Sequence, residues 1–196
     1  KNRMFAAGDI EFKDVNNDGI IDAEDQVDLG NSLPKLFGGA YFSLRYKKLQ
    51  LQGVMSFTKG NKTYNAVRRS LEDLAGYSNQ SIAALRRWQT DGQQTDIPQA
   101  QYGDPMENAR FSNRWIEDAS YMRLENLSLS YRFGNQRLKI LSNSEWYIAA
   151  ENLFTWSKYL GLDPVTAYSN SVGYTGADYG KIPLPRTFKL GVNFKL

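Results

Sequence analysis

Apolar and polar side chains alternate with a period of two in five separate stretches, and this alternation constrains the fold more than any other feature. A period of two is that of a β-strand, whose successive side chains point to opposite faces. Each stretch is about ten residues long, which is the length of a strand that crosses a lipid bilayer at a tilt. The predicted strands are Leu36–Tyr46, Leu49–Thr58, Tyr121–Phe133, Glu145–Ser157 and Thr187–Leu196.

The connections between these strands alternate in length. Lys47-Lys48 and the link from Gly134 to Ser144 are short, whereas the connections from Gly60 to Ala119 and from Lys158 to Arg186 are long. A soluble β-sandwich also shows alternating strands, but it has no reason to sort its loops in this way. Outer-membrane barrels have short periplasmic turns and long extracellular loops. The sequence therefore predicts an all-β fold: five antiparallel strands, paired in chain order with open edges, from a large transmembrane β-barrel.

The parity of each predicted strand separates a face for lipid from a face for the lumen. A shift of one residue would exchange the two faces of a whole strand, so each strand is a separate prediction. The side chains predicted to face lipid are Phe42, Leu44, Leu51, Met55, Phe57, Leu129, Tyr131, Ile148, Leu190, Val192 and Phe194. Those predicted to face the lumen are Arg45, Gln52, Ser130, Arg132, Glu151 and Asn193.

Loop lengths also predict the orientation of the chain. The last strand runs from outside to inside, so residues 1–35 and both long connections are expected to be extracellular. We therefore predict one barrel domain over residues 1–196, with an extracellular calcium-type loop at 1–35 and barrel strands and loops at 36–196. Within the first long connection, Val67, Leu71 and Leu74 have helical spacing, and Ser81 is a suitable N-cap for a second short helix.

The composition excludes several kinds of chemistry. The chain has no cysteine and no histidine, which removes Cys/His zinc sites, disulfides, thiol nucleophiles and Ser-His-Asp triads. Adjacent carboxylates at Glu72-Asp73 and Glu117-Asp118 are expected to be solvated loop charges, because neighbours in sequence rarely converge on one substrate atom. The net charge of +3 is scattered without a basic motif, so we expect no nucleic acid partner. The protein is predicted not to be an enzyme.

An oxygen-rich stretch near the start of the chain has the spacing of a calcium-binding loop. Oxygen-bearing side chains occupy its positions one, three, five, nine and twelve, Gly19 stands at position six, and a hydrophobic residue stands at position eight. Calcium prefers six to eight oxygen ligands, and this spacing folds them around one centre. Aspartate at position twelve departs from the EF-hand glutamate and resembles the dockerin-type variant. The predicted ligands of a structural calcium ion are Asp14, Asn16, Asp18, the Ile20 carbonyl, Asp22 directly or through water, and Asp25.

Several aromatic side chains fall in the predicted extracellular loops. Their faces are able to stack on a sugar ring or on a partner protein, although packing within the loops is the somewhat better explanation for any single one. The candidates for ligand or partner contact are Trp88, Tyr102, Tyr168, Tyr174 and Tyr179.

An ordered set of short motifs resembles the SusC/RagA-type TonB-linked outer-membrane transporters over nearly the whole chain. The set runs from Gly8-Asp9-Ile10 through Gly30-Asn31, Pro34-Lys35, Arg87-Trp88, Asp96-Ile97-Pro98 and the stretch 114–124 to 151–155, Lys158-Tyr159, Gly161, Asp163-Pro164 and 185–188. Two departures are Leu196, where the family usually ends in an aromatic residue, and Val165, where an acidic residue is common.

The resemblance implies the carboxy-terminal part of a nutrient importer. Such proteins form a barrel of about 22 strands closed by an amino-terminal plug. A SusD-like surface lipoprotein helps to capture oligosaccharides or peptides, and energy comes through TonB acting on a plug that this chain does not contain. The expected location is the bacterial outer membrane. The alternatives are a calcium-dependent carbohydrate-binding β module and a small stand-alone outer-membrane barrel.

Overall fold

A computed structural model describes residues 5–133, 144–165 and 176–194. Five long strands dominate it, and the long connections carry short helices and strands. The strands are β1 (Leu36–Tyr46), β2 (Leu49–Lys59), β3 (Lys62–Asn65), β4 (Ile116–Asp118), β5 (Tyr121–Arg132), β6 (Ser144–Ser157), β7 (Ala177–Asp178) and β8 (Thr187–Phe194). The helices are α1 (Ala66–Glu72) and three short 3-10 helices at Ala23–Asp25, Ile82–Arg86 and Asn113–Trp115.

The five long strands form one antiparallel sheet in the order β1-β2-β5-β6-β8, which confirms the predicted pairing in chain order. A two-residue turn at Lys47-Lys48 joins β1 to β2, and the positive φ of Lys47 (54°) permits this tight reversal. Within the described residues, β1 and β8 each pair with a strand on one side only. The sheet therefore has two open edges, as the number of predicted strands requires.

The observed strand bounds follow the predicted bounds closely. β1 matches at both ends, and β2, β5 and β6 differ by one residue at one end. The last strand ends at Phe194, because Lys195 and Leu196 lie outside the described residues. Most of the predicted short link between β5 and β6, at positions 134–143, also lies outside them. The period-two pattern was therefore sufficient to locate all five long strands.

The first long connection carries a small folded structure that also includes a strand from the connection between β6 and β8. Strands β4 and β3 of the first connection and β7 of the later one form a second sheet, in which β3 and β7 pair in parallel. Helix α1 is capped by Asn65, whose side chain accepts a hydrogen bond from the Arg68 N–H at 2.8 Å. Ser81 caps the 3-10 helix that follows, as predicted. A buried cluster of Leu74, Ala83, Ala84 and Ile97 forms the core between them.

The chain divides into two compact units. One contains residues 1–30, 63–117 and 166–180, and the other contains 31–62, 118–165 and 181–196. The second unit holds the five-stranded sheet, and the first holds most of the long connection after β2 together with the acidic loop. The predicted division at residue 35 stays a prediction.

No helix among the described residues is long and apolar enough to cross a lipid bilayer.

Candidate membrane-spanning surface and loop sites

One face of the five-stranded sheet carries an uninterrupted row of large aliphatic side chains. The strand register places Leu44 opposite Leu51, Leu51 opposite Leu129, Leu129 opposite Ile148, and Ile148 opposite Leu190. Directly paired residues share a face, so this row contains one side chain from each strand. The same register brings every side chain predicted to face lipid onto this face, here called the apolar face.

The side chains of the apolar face are largely exposed. Leu190 is 77% exposed, Leu44 63% and Ile148 58%. An apolar surface that runs across five strands is far larger than the scattered exposed residues of a soluble monomer. Contact with lipid or with another apolar surface is what such a face requires.

The opposite face is polar. Arg45 pairs with Gln50, Gln50 with Ser130, and Arg132 with Glu145, so the side chains predicted to face the lumen share this second face. Cross-strand hydrogen bonds on this face run from Gln52 Nε2 to Tyr41 Oη at 2.8 Å and from Gln50 Nε2 to Ser43 Oγ at 3.1 Å. Lys189 forms an ion pair with Glu151 on the same face. The polar and charged side chains of this face are suited to contact with water.

A β-bulge in β5 keeps the apolar side chains at the start of the strand, next to the long connection, on the apolar face. The pairing shifts at Glu125, so Leu124 and Met122 lie beside Met55 and Phe57 although their parity differs from that of Leu127. The Glu125 carboxylate accepts a hydrogen bond from Ser56 Oγ at 2.6 Å. One inserted residue therefore allows an apolar face to continue through a change of sequence parity.

Aromatic clusters stand at both ends of the apolar face. At the end of the β1–β2 turn, the Phe133 ring lies 4.8 Å from Tyr131 and 5.8 Å from Trp146. At the other end, the Phe154 and Trp156 rings are stacked at 5.9 Å. Strand β2, which has no inserted residue, measures the distance between the two tryptophans, because Trp146 lies level with Leu49 and Trp156 lies level with Phe57. Eight residues along β2 span about 27 Å. At a tilt of 35–45° this is a height of about 20 Å, close to the apolar band of about 25 Å between aromatic girdles.

The acidic loop is closed by hydrogen bonds from backbone N–H groups to its side-chain oxygens. Asp14 accepts from the N–H of Asn17 at 2.6 Å and of Gly19 at 2.8 Å. Asp18 accepts from the N–H of Ile20 at 2.7 Å, and Asn16 Oδ1 accepts from the N–H of Asp18 at 3.0 Å. Gly19 has a φ of 80°, so the turn at position six uses the conformation that favours glycine.

The last predicted ligand ties the two ends of the loop together. Asp25 accepts from the N–H of Val15 at 2.6 Å and of Asp22 at 2.9 Å. These backbone hydrogen bonds, helped by the more distant Arg110, hold the pKa of Asp25 below its ordinary value. Within the described ranges, no group of three or more acidic side chains is arranged to hold a metal ion. Calcium binding by the loop stays a prediction.

The predicted aromatic contact residues have different surroundings. Trp88 packs its ring over Gly8, where an added Cβ would lie 2.5 Å from a ring carbon, and lines a pocket in the first unit. Tyr102 is 74% exposed and lies 5.4 Å from the ring of Tyr77. Tyr179 is half-exposed. Tyr168 and Tyr174 lie outside the described residues.

A buried ion-pair network in the first unit was missed by sequence reasoning. The Arg68 guanidinium lies 3.2 Å from Glu72 and 3.0 Å from Glu117, and Arg114 lies 3.6 Å from Glu72. The carboxylates of Glu117 and Glu72 raise the pKa of Arg68 against the opposing effect of burial, whereas burial lowers the pKa of Arg114. The expectation that Glu72 and Glu117 are solvated was wrong, because their side chains are 8% and 9% exposed. The i,i+4 spacing of Arg68 and Glu72 was the one local signal.

An apolar outer face, a polar opposite face, aromatic clusters at both ends and ordered antiparallel pairing define part of a transmembrane β-barrel. No protein-family model matches the chain. It is 31% identical over 192 residues to TonB-dependent receptor P26 of Formosa agariphila, covering 95% of this chain and 19% of that protein. It is 26% identical over 196 residues to TonB-dependent receptor SusC of Bacteroides thetaiotaomicron, covering 94% of this chain and 17% of that protein.

Solved structures agree with the fold. A structure of the RagAB peptide importer in the 'open-open' state matches with a TM-score of 0.72 and 23% identity, covering 89% of this chain and 18% of that one. A structure of the RagAB peptide transporter gives 0.71 and 24%, with 89% and 19% covered. The chain belongs to the SusC/RagA-type TonB-dependent receptors. It spans about a fifth of the length of the curated relatives it matches.

Proposed function

We propose that the protein containing this chain is a TonB-dependent importer of the bacterial outer membrane. The observation that carries the proposal is the aliphatic row from Leu44 to Leu190, because it crosses all five strands of a sheet whose other face is polar. Lipid on one side and a wet lumen on the other explain both faces together. The relationship to proteins named TonB-dependent receptors supports the same assignment.

The imported ligand is an oligosaccharide or a peptide, and the partner is a SusD-like surface lipoprotein. The relatives support both parts of this proposal, since one is named SusC and the similar solved structures are of a peptide importer, RagAB. Import changes the location of the ligand and involves no covalent chemistry by this chain. Energy reaches the barrel through TonB and a plug that lies outside the residues 1–196.

Uptake by whole cells tests the proposal directly. A strain lacking the gene is complemented with the full-length protein, and uptake of labelled oligosaccharides and labelled oligopeptides is measured with and without an uncoupler of the inner membrane. We expect the complemented strain alone to take up one of the two classes, and the uncoupler to stop it. Recovery of the protein in the soluble fraction, or equal uptake of both classes by the deletion strain, would contradict the proposal.

We propose separately that the acidic loop binds one structural calcium ion. The support is its oxygen spacing, the glycine conformation at Gly19 and the concentration of carboxylates within twelve residues, which repel each other without a cation. An extracellular site functions with an affinity of about 10⁻⁴–10⁻³ M. Its role would be to fix the segment that leads into β1.

A calcium titration of the full-length protein tests this site. Asp14→Ala and Asp18→Ala each remove a predicted ligand, and Asp28→Ala removes a carboxylate just outside the loop as a matched control. We expect calcium to slow hydrogen exchange in residues 14–25 of the unchanged protein and of Asp28→Ala, but not of the two loop variants. Absence of any response at millimolar calcium in the unchanged protein would show that the loop is only an acidic turn.

A further inference from the structure

A buried ion pair attaches the β6–β8 connection to the polar face of the five-stranded sheet. Arg123 lies on β5 between Ser56 of β2 and Thr155 of β6, which places it on that face. Its Nη2 donates to the Asp163 carboxylate at 2.5 Å, and its Nε donates to Thr155 Oγ1 at 3.0 Å. The Arg123 and Asp163 side chains are only 6% and 9% exposed. Asp163 belongs to the connection, so the connection folds back onto the sheet.

Both arms of this connection meet at the same place. Asn152, at a β-bulge with a φ of 53°, donates from Nδ2 to the Pro185 carbonyl at 3.1 Å. Lys181 Nζ donates to the Val165 carbonyl at 3.3 Å, which joins the returning arm to the outgoing arm. Asp163 also accepts a hydrogen bond from the N–H of Val165 at 2.9 Å. The same carboxylate therefore orders the backbone after β6 and pairs with Arg123.

The attachment is specific because an arginine buried this deeply needs a charged partner. Burial of either charge alone would be strongly unfavourable, so the pair forms only while the connection lies on the sheet. A free connection of this length would otherwise sample many conformations. The polar face to which it is attached is the face that lines the lumen in a closed barrel.

We propose that Arg123 and Asp163 hold residues 158–165 and 181–186, here called the strap, against the polar face, so that the strap narrows the loop-side entrance of the lumen. That the strap narrows the entrance rests on the proposed transport function, whereas its attachment to the polar face does not. A solute that enters from the loop side would pass the strap. Its position, set by one ion pair, would then limit the size of what enters.

Hydrogen exchange of the full-length protein in lipid nanodiscs tests the attachment. Asp163→Asn preserves the shape of the side chain but leaves Arg123 without a counter-charge. We expect exchange in residues 158–165 to rise about tenfold or more, and exchange in residues 66–86 to stay unchanged. The matched control is Glu151→Gln, which removes an ion-pair partner of the exposed Lys189 on the same face and should leave the strap unchanged. Unchanged strap exchange in Asp163→Asn would overturn the attachment.

A second variant keeps the test decisive if Asp163→Asn does not assemble into a barrel. Thr155→Val removes only the acceptor of the Arg123 Nε hydrogen bond, so a smaller rise in strap exchange is expected and no rise would overturn the proposal. Uptake of a graded size series of the imported class then tests the narrowing. Longer members should enter relatively faster in the variant with a released strap. An unchanged size dependence would overturn the narrowing, while no uptake by the unchanged protein would overturn only the proposed function.

Discussion

An arginine placed at Leu127 tests which face of the five-stranded sheet meets lipid. Leu127 pairs with Gly53 of β2 and Ala150 of β6, so its side chain lies on the apolar face. Tyr131 lies level with Leu49 and Met122 level with Phe57, each four residues along β2 from Gly53. Both are therefore about 13 Å from Leu127, Tyr131 toward the β1–β2 turn and Met122 toward the long connections. Leu127 is therefore near the centre of the apolar band. An arginine at the bilayer midplane of such a barrel costs about 2–4 kcal/mol.

The loss of stability caused by an introduced arginine should depend on its depth in the bilayer and on the face of the sheet that carries it. Tyr131→Arg places the charge within the aromatic cluster at the turn end, where an arginine costs about 0–1 kcal/mol. Ser128→Arg is the matched control for face, because Ser128 follows Leu127 directly and pairs with Gln52 and Ala149 on the polar face. A surface substitution away from special features changes stability by about 0.5 kcal/mol or less.

Refolding of the full-length protein into lipid vesicles provides the measurement. Folded and unfolded fractions are separated by their electrophoretic mobility across a urea series. A loss of 2–4 kcal/mol corresponds to about 30- to 700-fold in the folding equilibrium. We expect that loss for Leu127→Arg, a small loss for Tyr131→Arg and almost none for Ser128→Arg. A larger loss for Ser128→Arg would reverse the faces, and equal large losses at both positions would show a sheet buried on both sides.

Two further predictions concern the first unit of the full-length protein. Glu72→Gln should destabilise it by about 3 kcal/mol or more, because two arginines then lack their shared buried carboxylate. Faster hydrogen exchange in residues 66–117 would report this, and Asp96→Asn, which breaks the exposed pair with Arg86, should change exchange little. The acidic loop should loosen in acid, since the pKa of Asp25 is lowered in the folded loop by backbone hydrogen bonds. Its ionised form therefore favours the folded loop above the ordinary aspartate pKa of 3.8, and this contribution is lost as the pH falls below it. Exchange in residues 14–25, corrected for its intrinsic pH dependence, measures the effect, and protection that persists well below 3.8 would contradict it.

The long strands were predictable because their signal is local. Period-two alternation is repeated in each strand and depends on no distant residue, so strand bounds and the faces of eleven lipid-facing candidates followed from the sequence. The bulge at Glu125 was not predicted, since it changes the parity of Met122 and Leu124 through a register shift against β2. A bulge is visible only when the partner strand is known.

The short strands and the ion pairs were not predictable for the opposite reason. β3 pairs in parallel with β7, and the paired residues Tyr64 and Ala177 are more than a hundred positions apart. Arg68 meets Glu117 and Arg123 meets Asp163 across separations of about fifty and forty residues. No local period marks such contacts, and charges in loops are ordinarily solvated. Burial in these loops follows only once their own core is assembled.

The polar mean hydropathy of −0.54 and the broad apolar face describe the same molecule without conflict. Half of the side chains in each long strand point to the polar face, so a strand that meets lipid on one side contributes little to the average hydropathy. The long connections are polar and add to this. They still bury enough apolar surface, at Leu74 and Ile97 for example, to fold into a unit with its own core. The apolar surface of this chain can therefore be inferred from the order of its residues, whereas the mean hydropathy of the whole chain does not reveal it.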